Sequence, residues 1–457
     1  MKKNQQNQTG QWVRAIVLSV VAAAIVLAAP TVYPTGVTTY EPDRSWNGFT
    51  VLSPLGGEAA IVIDMNGNVV KSWEGYVSSA GGPNRVLPGG VLIGAMGTRP
   101  GRLESRRLVE RGFDGKELWS YDHNLQIDTP NGETSWSSRQ HHDWQRPDFP
   151  AGYYSPGIRP DLVGPKTLLL THIDHPQPSV TPEKSIQDDR LIEIAEDGEL
   201  LWEWVASDHI GEMQFDDAAR EAISEAAGGG RGNYDWLHLN SATYVGPNHW
   251  YDEGDARFNP ENIIVSSRQA SLVAIVARDG SIVWQIGPDY RASEEMSKIR
   301  QIIGQHHAHI IPRGLPGAGN LMIFDNGGAS GYGAPTPAAP KGENIFARPT
   351  SRVLEINPVT LELVWSYNAP NFFATNISGA QRLANGNTLI TEGPDGRIFE
   401  VTSDGDIVWE YIYPVYTGRG TNSVYRAYRV PYDWIPQLDR PAEKAVTPPD
   451  KSEYRVP

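Results

Sequence analysis

A short pattern of apolar and polar positions recurs along the chain and predicts a β-hairpin at each copy. Asp or Asn is followed by Gly, a variable residue, two mostly apolar residues and then Trp. The copies run from Asn66 to Trp73, Asp114 to Trp119, Asp197 to Trp202, Asp279 to Trp284, Asn357 to Trp365 and Asp404 to Trp409. Asp-Gly supplies the positive φ of a tight turn, and the apolar residues on both sides are typical of strands.

A second strand pair with a Gly turn precedes several of these hairpins, as in residues 85–93 and 381–390. Two hairpins make a four-stranded unit, and the shorter Trp spacings match a propeller blade of roughly 40 to 50 residues. The longer spacings include insertions, two of which have helical patterns at residues 215–227 and 292–303. The sequence therefore predicts an all-β protein, a six-bladed β-propeller with a central channel. Several unrelated β-sandwich hairpins are the alternative.

The N-terminal segment predicts an apolar helix and export. Lys2, Lys3 and Arg14 precede an apolar run over residues 15–29, and Pro30 follows it. This is the pattern of a signal anchor or a cleaved signal peptide, and either would place the domain outside the cytoplasmic membrane. The predicted organisation is an anchor or signal over 1–30, a connector over 31–48, the propeller over 49–435 and a polar Pro-rich tail over 436–457.

Composition narrows the possible partners. The net charge of −15 argues against a nucleic-acid partner, because phosphate binding requires a basic surface. The chain has no cysteine, which excludes disulfides, thiolate metal ligands and a cysteine nucleophile. Oligomeric state cannot be read from these features.

Histidines cluster where predicted blades begin. They lie in Gln140-His141-His142, at His238, and in Gln305-His306-His307-Ala308-His309. The first strand of a blade is innermost in a propeller, so these side chains are predicted to meet at the channel. Neutral imidazole can act as a base, a nucleophile or a metal ligand. The alternative is that each histidine only caps backbone groups, and an outer structural role is favoured for His172 and His175.

Several motifs resemble the arylsulfotransferase (arylsulfate sulfotransferase) family. They are His238-Leu239-Asn240-Ser241, Gln305-His306-His307, residues 319–327, residues 351–355 and residues 381–390. The similarity spans about residues 50–412. It implies a periplasmic six-bladed propeller that moves a sulfuryl group from a phenolic sulfate to a phenol through a sulfated histidine.

The resemblance also implies roles for individual residues. His238 and His307 would hold the sulfuryl oxygens beside His309, and with His142 they form the predicted catalytic set. The family's nucleophilic histidine belongs near residues 372–379, where this chain has none, and no arginine follows Asp325-Asn326-Gly327. The predicted substrate-binding residues, which include two possible substitutes for that arginine, are Asn240, Asn326, Arg352, Asn376 and Arg268.

Three functions remain open from the sequence. The first is an exported, arylsulfotransferase-like enzyme acting on small anionic aromatic molecules without a cofactor. The second is a non-catalytic propeller that binds a sugar or a protein. The third is a hydrolase with a divalent metal on His142, His238 and His307, because three imidazoles can form an open metal site.

Overall fold

The computed structural model describes residues 35–77, 82–98, 103–128, 132–160, 166–182, 185–228, 234–328, 330, 332, 348–416 and 420–447. The predicted N-terminal helix lies outside these residues. No helix in the described part of the chain has the length and hydrophobicity needed to cross a membrane.

Strands dominate the described chain. The first half contains β1 (Gly36–Tyr40), β2 (Phe49–Pro54), β3 (Ala59–Ile63), β4 (Val69–Glu74), β5 (Arg85–Leu87), β6 (Val91–Thr98), β7 (Ser105–Arg111), β8 (Glu117–Tyr121), β9 (Leu125–Asp128), β10 (Thr134–Ser137), β11 (Gln140–Gln145), β12 (Thr167–Pro176), β13 (Ser185–Ile194) and β14 (Leu200–Val205). The second half contains β15 (Tyr234–Asp235), β16 (Leu239–Tyr244), β17 (Ile263–Ser267), β18 (Leu272–Val276), β19 (Ile282–Ile286), β20 (His306–Ile310), β21 (Leu321–Asp325), β22 (Arg352–Ile356), β23 (Leu363–Tyr367), β24 (Gly379–Arg382), β25 (Thr388–Glu392), β26 (Arg397–Val401), β27 (Ile407–Ile412) and β28 (Val424–Val430).

Helices are short and lie between sheets. The α-helices are α1 (Asp217–Gly228), α2 (His249–Asp252) and α3 (Glu294–Ile299), and the 3₁₀ helices cover Ala206–His209, Ala256–Phe258, Gly393–Asp395 and Tyr432–Trp434. Helices α1 and α3 confirm the helical pattern of the two insertions. Ser293 caps α3 by accepting a hydrogen bond from the backbone N–H of Met296.

The strands form a propeller-like arrangement of small antiparallel sheets. Four sheets stand alone, in the orders β28-β2-β3-β4, β16-β17-β18-β19, β20-β21-β22-β23 and β24-β25-β26-β27-β1. Strand β2 pairs with β28, so the beginning and the end of the described chain share one sheet. Strands β9 and β10 form a separate small hairpin.

The prediction of six separate blades is wrong. Strands β5 to β8 and β11 to β14 belong to one nine-stranded sheet, which also includes β15, so the structure has four separate blades. The join is a single backbone pairing between Ser105 in β7 and Gln140 in β11. The Ser105 hydroxyl strengthens it by donating to the side-chain Oε1 of Gln140 over 2.9 Å.

The repeated tryptophans link each hairpin to the turn of the next one. Each indole N–H donates to a backbone carbonyl in the following copy of the motif. The pairs are Trp73 to Gly112, Trp119 to Glu196, Trp202 to Arg278, Trp284 to Pro358, Trp365 to Ser403 and Trp409 to Met65. The last of these returns to the first copy, so the hydrogen bonds connect the hairpins in a circle.

We expect Trp409→Phe to lower the free energy of unfolding by about 1–3 kcal/mol, because it leaves the carbonyl of Met65 without its donor in a buried site. Trp409 is fully buried and donates over 2.9 Å. Trp119→Phe is the matched control, since that indole is partly exposed and water can replace it. Urea unfolding of both variants measures the difference. Equal losses of unfolding free energy would show that the buried hydrogen bond of Trp409 does not cause the loss.

Candidate functional site

Three histidines near the starts of β11, β16 and β20 share an unusual backbone conformation. His142 has φ 53°, His238 has φ 50° and His307 has φ 52°. Each lies at or beside a break in strand register at the start of β11, β16 or β20. Left-handed φ is uncommon for residues other than glycine and costs roughly 1–2 kcal/mol. Strain repeated at equivalent positions points to a functional constraint on where these side chains lie.

Asp235 orients His238. The carboxylate Oδ2 lies 2.6 Å from the ring Nδ1, so Nδ1 carries a proton and donates it. Burial by itself lowers the pKa of His238, but the charge and hydrogen bond of Asp235 outweigh burial and raise that pKa. The same pair, against the effect of burial, holds the pKa of Asp235 well below its ordinary value. Nε2 of His238 is bonded to no described group, and the side chain is 12% exposed.

His142 packs against His238. The ring centroids are 4.7 Å apart, and Nδ1 of His142 lies 2.8 Å from Nδ1 of His141. Burial, followed by repulsion from His238 and His141, lowers the pKa of His142 well below its ordinary value. His142 is therefore the neutral ring of this pair, and His238 is the ring that binds a proton more readily.

Asn326 fixes the tautomer of His306. The Asn326 amide donates to the carbonyls of Ala374 and Ile377, each over 3.0 Å, which leaves its Oδ1 as an acceptor. His306 Nδ1 lies 2.7 Å from that Oδ1 and therefore carries the proton. Burial holds the pKa of His306 well below its ordinary value, against the effect of Asn326. Its Nε2 is then an unprotonated acceptor.

His307 and His309 form a second, fully buried pair with Tyr153 and Tyr428. Their ring centroids are 4.4 Å apart, and they are 1% and 0% exposed. The backbone N–H of Ala380 donates to Nδ1 of His307 over 3.3 Å. His309 Nδ1 faces the carbonyl of His307, and Nε2 lies 2.9 Å from the Tyr153 hydroxyl. Both nitrogens of His309 are thus already hydrogen-bonded.

Arg268 is a cation without a partner in the described structure. Its side chain makes no hydrogen bond or ion pair with a described residue, and it is half-buried. Burial lowers its pKa, which the charge of Asp235 opposes. Its charge in turn lowers the pKa of His238 and of His306, so it lies near both rings. The arrangement leaves a guanidinium near two imidazoles whose Nε2 atoms bond to no described group.

A second group of charges lies near His307 and His309. Arg85 and Arg426 share one carboxylate, that of Asp143, at 2.7 and 3.3 Å, and all three are buried. Arg426 also donates to the carbonyl of Asn240 over 2.8 Å. Two cations with one anion leave a positive charge, and in low dielectric such a charge favours a bound anion.

The remaining predicted substrate-binding residues are either bonded to other groups or hold strands together. Arg352 is paired with Asp325 at 2.6 Å and donates to the carbonyls of Ile299 and Gln301. Asn376 is exposed, and its Oδ1 accepts from Thr375. The side chain of Asn240 donates to the carbonyl of Gln305 over 2.7 Å and thereby ties β16 to the start of β20.

A group able to hold a metal ion is present, but it is not the set suggested by the sequence. Among the described residues, His141, His172 and Asp189 form the group of potential ligands whose atoms all lie within 4.8 Å of one another. The sequence favoured an outer structural role for His172 and gave no role to Asp189. It also left Asp235 and His306, which lie near Arg268, out of the catalytic set. Asp235, three residues before His238, was a signal that could have been used.

We expect His309 to make the protein less stable in acid. Burial lowers the pKa of its ring to about 4, so the unfolded chain binds a proton more readily between pH 6.5 and 4. Stability therefore falls as the pH drops through this window, by roughly 2–4 kcal/mol from this group. Urea unfolding between pH 7 and 4.5 should show a shallower dependence in His309→Gln. Parallel curves for the two proteins would contradict the assignment.

Comparison with known proteins gives one family match. The family model of arylsulfotransferase (ASST) matches residues 163–414, more than half of the 457 residues. No curated protein matches the chain.

Three solved structures with distant similarity are 10–11% identical to this chain. A protein of unknown function from Bacteroides caccae is 10% identical, with 84% of this chain and 99% of that chain covered and a TM-score of 0.42. Virginiamycin B lyase from Staphylococcus aureus is 11% identical, with 84% of each chain covered and a TM-score of 0.33. The Cps50 (Swd1) β-propeller domain of Myceliophteria thermophila is 10% identical, with 84% and 91% covered and a TM-score of 0.37.

Proposed function

The chain belongs to the arylsulfotransferase family, and from this premise we propose that it transfers a sulfuryl group from an aryl sulfate to a phenolic acceptor. The observation that carries the proposal is Arg268, a guanidinium without a described partner, close to the imidazoles of His238 and His306. The sulfate group of an aryl sulfate would supply the anion for this guanidinium. The aromatic ring of the same substrate would pack against the neighbouring histidine rings.

We assign the two proton transfers of the reaction to two histidines whose pKa values are shifted in opposite directions. His238, whose pKa is raised, is the general acid that protonates the departing phenolate oxygen. His306, whose pKa is lowered, is the general base that accepts the hydroxyl proton of the acceptor at Nε2. Environments that push two pKa values apart are the usual basis for such a division.

The proposed reaction is a direct transfer. The bond between sulfur and the donor phenol oxygen breaks as a bond between sulfur and the acceptor oxygen forms. The proton leaving the acceptor goes to His306, and His238 gives one to the donor oxygen. Arg268 holds the sulfuryl oxygens as charge redistributes among them. This assignment suits a chain without a histidine in residues 372–379, and it predicts sequential rather than ping-pong kinetics.

Residues 1–30 support a further part of the proposal, that the domain works outside the cytoplasmic membrane. Two lysines and an arginine before an apolar run are the supporting pattern. Cell fractionation with N-terminal sequencing of the mature protein tests it. Recovery of the unprocessed chain in the cytosol would contradict export.

We expect Arg268→Gln to lower kcat/KM for 4-nitrophenyl sulfate with a phenol acceptor roughly 100- to 1000-fold, because a preorganised donor to the sulfuryl oxygens is lost. Arg291→Gln is the control, since Arg291 is an exposed arginine that pairs with Asp289. Release of nitrophenolate measures turnover. Failure of the wild-type protein to transfer sulfate to a range of phenols, or equal activity of both variants, would overturn the proposed function.

A further inference from the structure

Three adjacent strands place two imidazoles and a carboxylate together inside the nine-stranded sheet. His141 lies on β11, His172 on β12 and Asp189 on β13, and His172 is directly opposite Asp189 in the strand register. All three side chains are buried, with at most 1% exposed. The group is thus held by a rigid sheet rather than by loops, which favours a defined binding geometry.

Two atoms of this group have no hydrogen-bond partner among the described residues. They are Nε2 of His141 and Oδ1 of Asp189, and they lie 3.2 Å apart. The other carboxylate oxygen, Oδ2, accepts from the backbone N–H of Leu239 over 2.8 Å, so Oδ1 points toward the imidazoles. Buried polar atoms without partners cost free energy, and two electron-pair donors facing each other call for a cation between them.

His172 has the second partner expected of a metal ligand. Its Nδ1 lies 3.2 Å from Oε1 of Glu104, while its Nε2 lies 3.7 Å from Oδ1 of Asp189. The amide nitrogen of Gln187 lies 3.0 Å from Nδ1 and 3.3 Å from Nε2, so it must move aside when a metal binds Nε2. Arg139 binds the same glutamate over 2.7 Å. A carboxylate on the far nitrogen of a histidine fixes its tautomer and orients the other nitrogen toward a metal.

We propose that His141, His172 and Asp189 bind one divalent transition-metal ion, with zinc as the best match. Two imidazole nitrogens and one carboxylate oxygen are a donor set that zinc accepts, whereas calcium and magnesium prefer oxygen ligands. The two imidazole rings are stacked, with centroids 3.6 Å apart, so coordination by both requires them to tilt apart.

The ion would also position a channel histidine. When Nε2 of His141 binds metal, its Nδ1 carries the proton and donates it to Nδ1 of His142, which lies 2.8 Å away. Nε2 of His142 then keeps its own proton and is a donor beside the ring of His238. The site goes beyond the proposed sulfuryl transfer, and metal binding can be measured whether or not that activity exists.

Metal content and zinc titration test the proposal on the full chain. We expect the wild-type protein, stripped with a chelator and dialysed, to bind one equivalent of zinc and to gain thermal stability with it. Asp189→Asn and His172→Gln should bind zinc at least about tenfold more weakly. His175→Gln should bind normally, because His175 lies on the same strand but is hydrogen-bonded to Asp188.

X-ray absorption of the zinc-loaded wild-type protein should show imidazole and carboxylate ligands. The proposal is overturned if the wild-type protein shows neither zinc retention nor a rise in Tm with zinc, nickel or cobalt. It is also overturned if Asp189→Asn and His172→Gln bind zinc as tightly as His175→Gln does. The wild-type measurements decide the question even where a variant does not fold.

Discussion

Replacing His238 with glutamine is expected to slow turnover of phenyl sulfate roughly 100- to 10,000-fold, which is the usual effect of losing a general acid. The same variant should lose much less activity with 4-nitrophenyl sulfate. Nitrophenolate is a more stable anion and leaves without a proton. This difference between leaving groups is the signature of an acid, since a residue that only binds the sulfuryl group would affect both substrates equally.

The pH dependence of the activity provides a second test of the role of His238. The acid must be protonated to act, and Asp235 raises the pKa of the ring, against the effect of burial. Wild-type activity toward phenyl sulfate should therefore fall as the pH rises through that raised pKa. This alkaline fall should be absent in His238→Gln. An equal loss with both sulfates, or an unchanged alkaline limb, would assign His238 to binding.

The repeat pattern predicted the hairpins because its information is local. An Asp-Gly turn followed by apolar residues specifies a hairpin wherever it occurs, and the tryptophans mark each copy. The joining of two blades was not predictable, since it depends on the backbone pairing of Ser105 with Gln140. These residues are far apart in sequence, and neither is unusual at its position in the pattern.

The sequence placed the histidines at strand starts, but it could not identify their partners. Arg268 and Arg352 were equal candidates for an anion site, and only the three-dimensional contacts separate them. Arg352 is paired with Asp325, whereas Arg268 has no described partner. In the same way, nothing in the sequence distinguishes Asp189 from other strand residues. Only the pairing of β13 with β12 places it opposite His172.

The geometry also divides the predicted catalytic histidines into two groups with different access. His238 is partly exposed beside Asp235 and Arg268, whereas His307 and His309 are enclosed with Tyr153 and fully buried. A substrate that approaches from solvent meets the first group first. The ring nitrogens of the enclosed pair already face hydrogen-bond partners, so this pair is better suited to holding the inner strands in place.

His306→Gln is expected to lower kcat roughly 100- to 10,000-fold with both aryl sulfates, because the base that accepts the acceptor's proton is lost. Unlike His238→Gln, it should show no preference between leaving groups. The deficit should shrink with acidic phenols, which lose their proton without assistance. His306 is buried and bonded to Asn326, and glutamine can keep a polar contact there. Thermal denaturation must therefore accompany the kinetics, with His175→Gln as the control histidine. A variant that folds normally and transfers sulfate to phenol at the wild-type rate would remove His306 from the reaction.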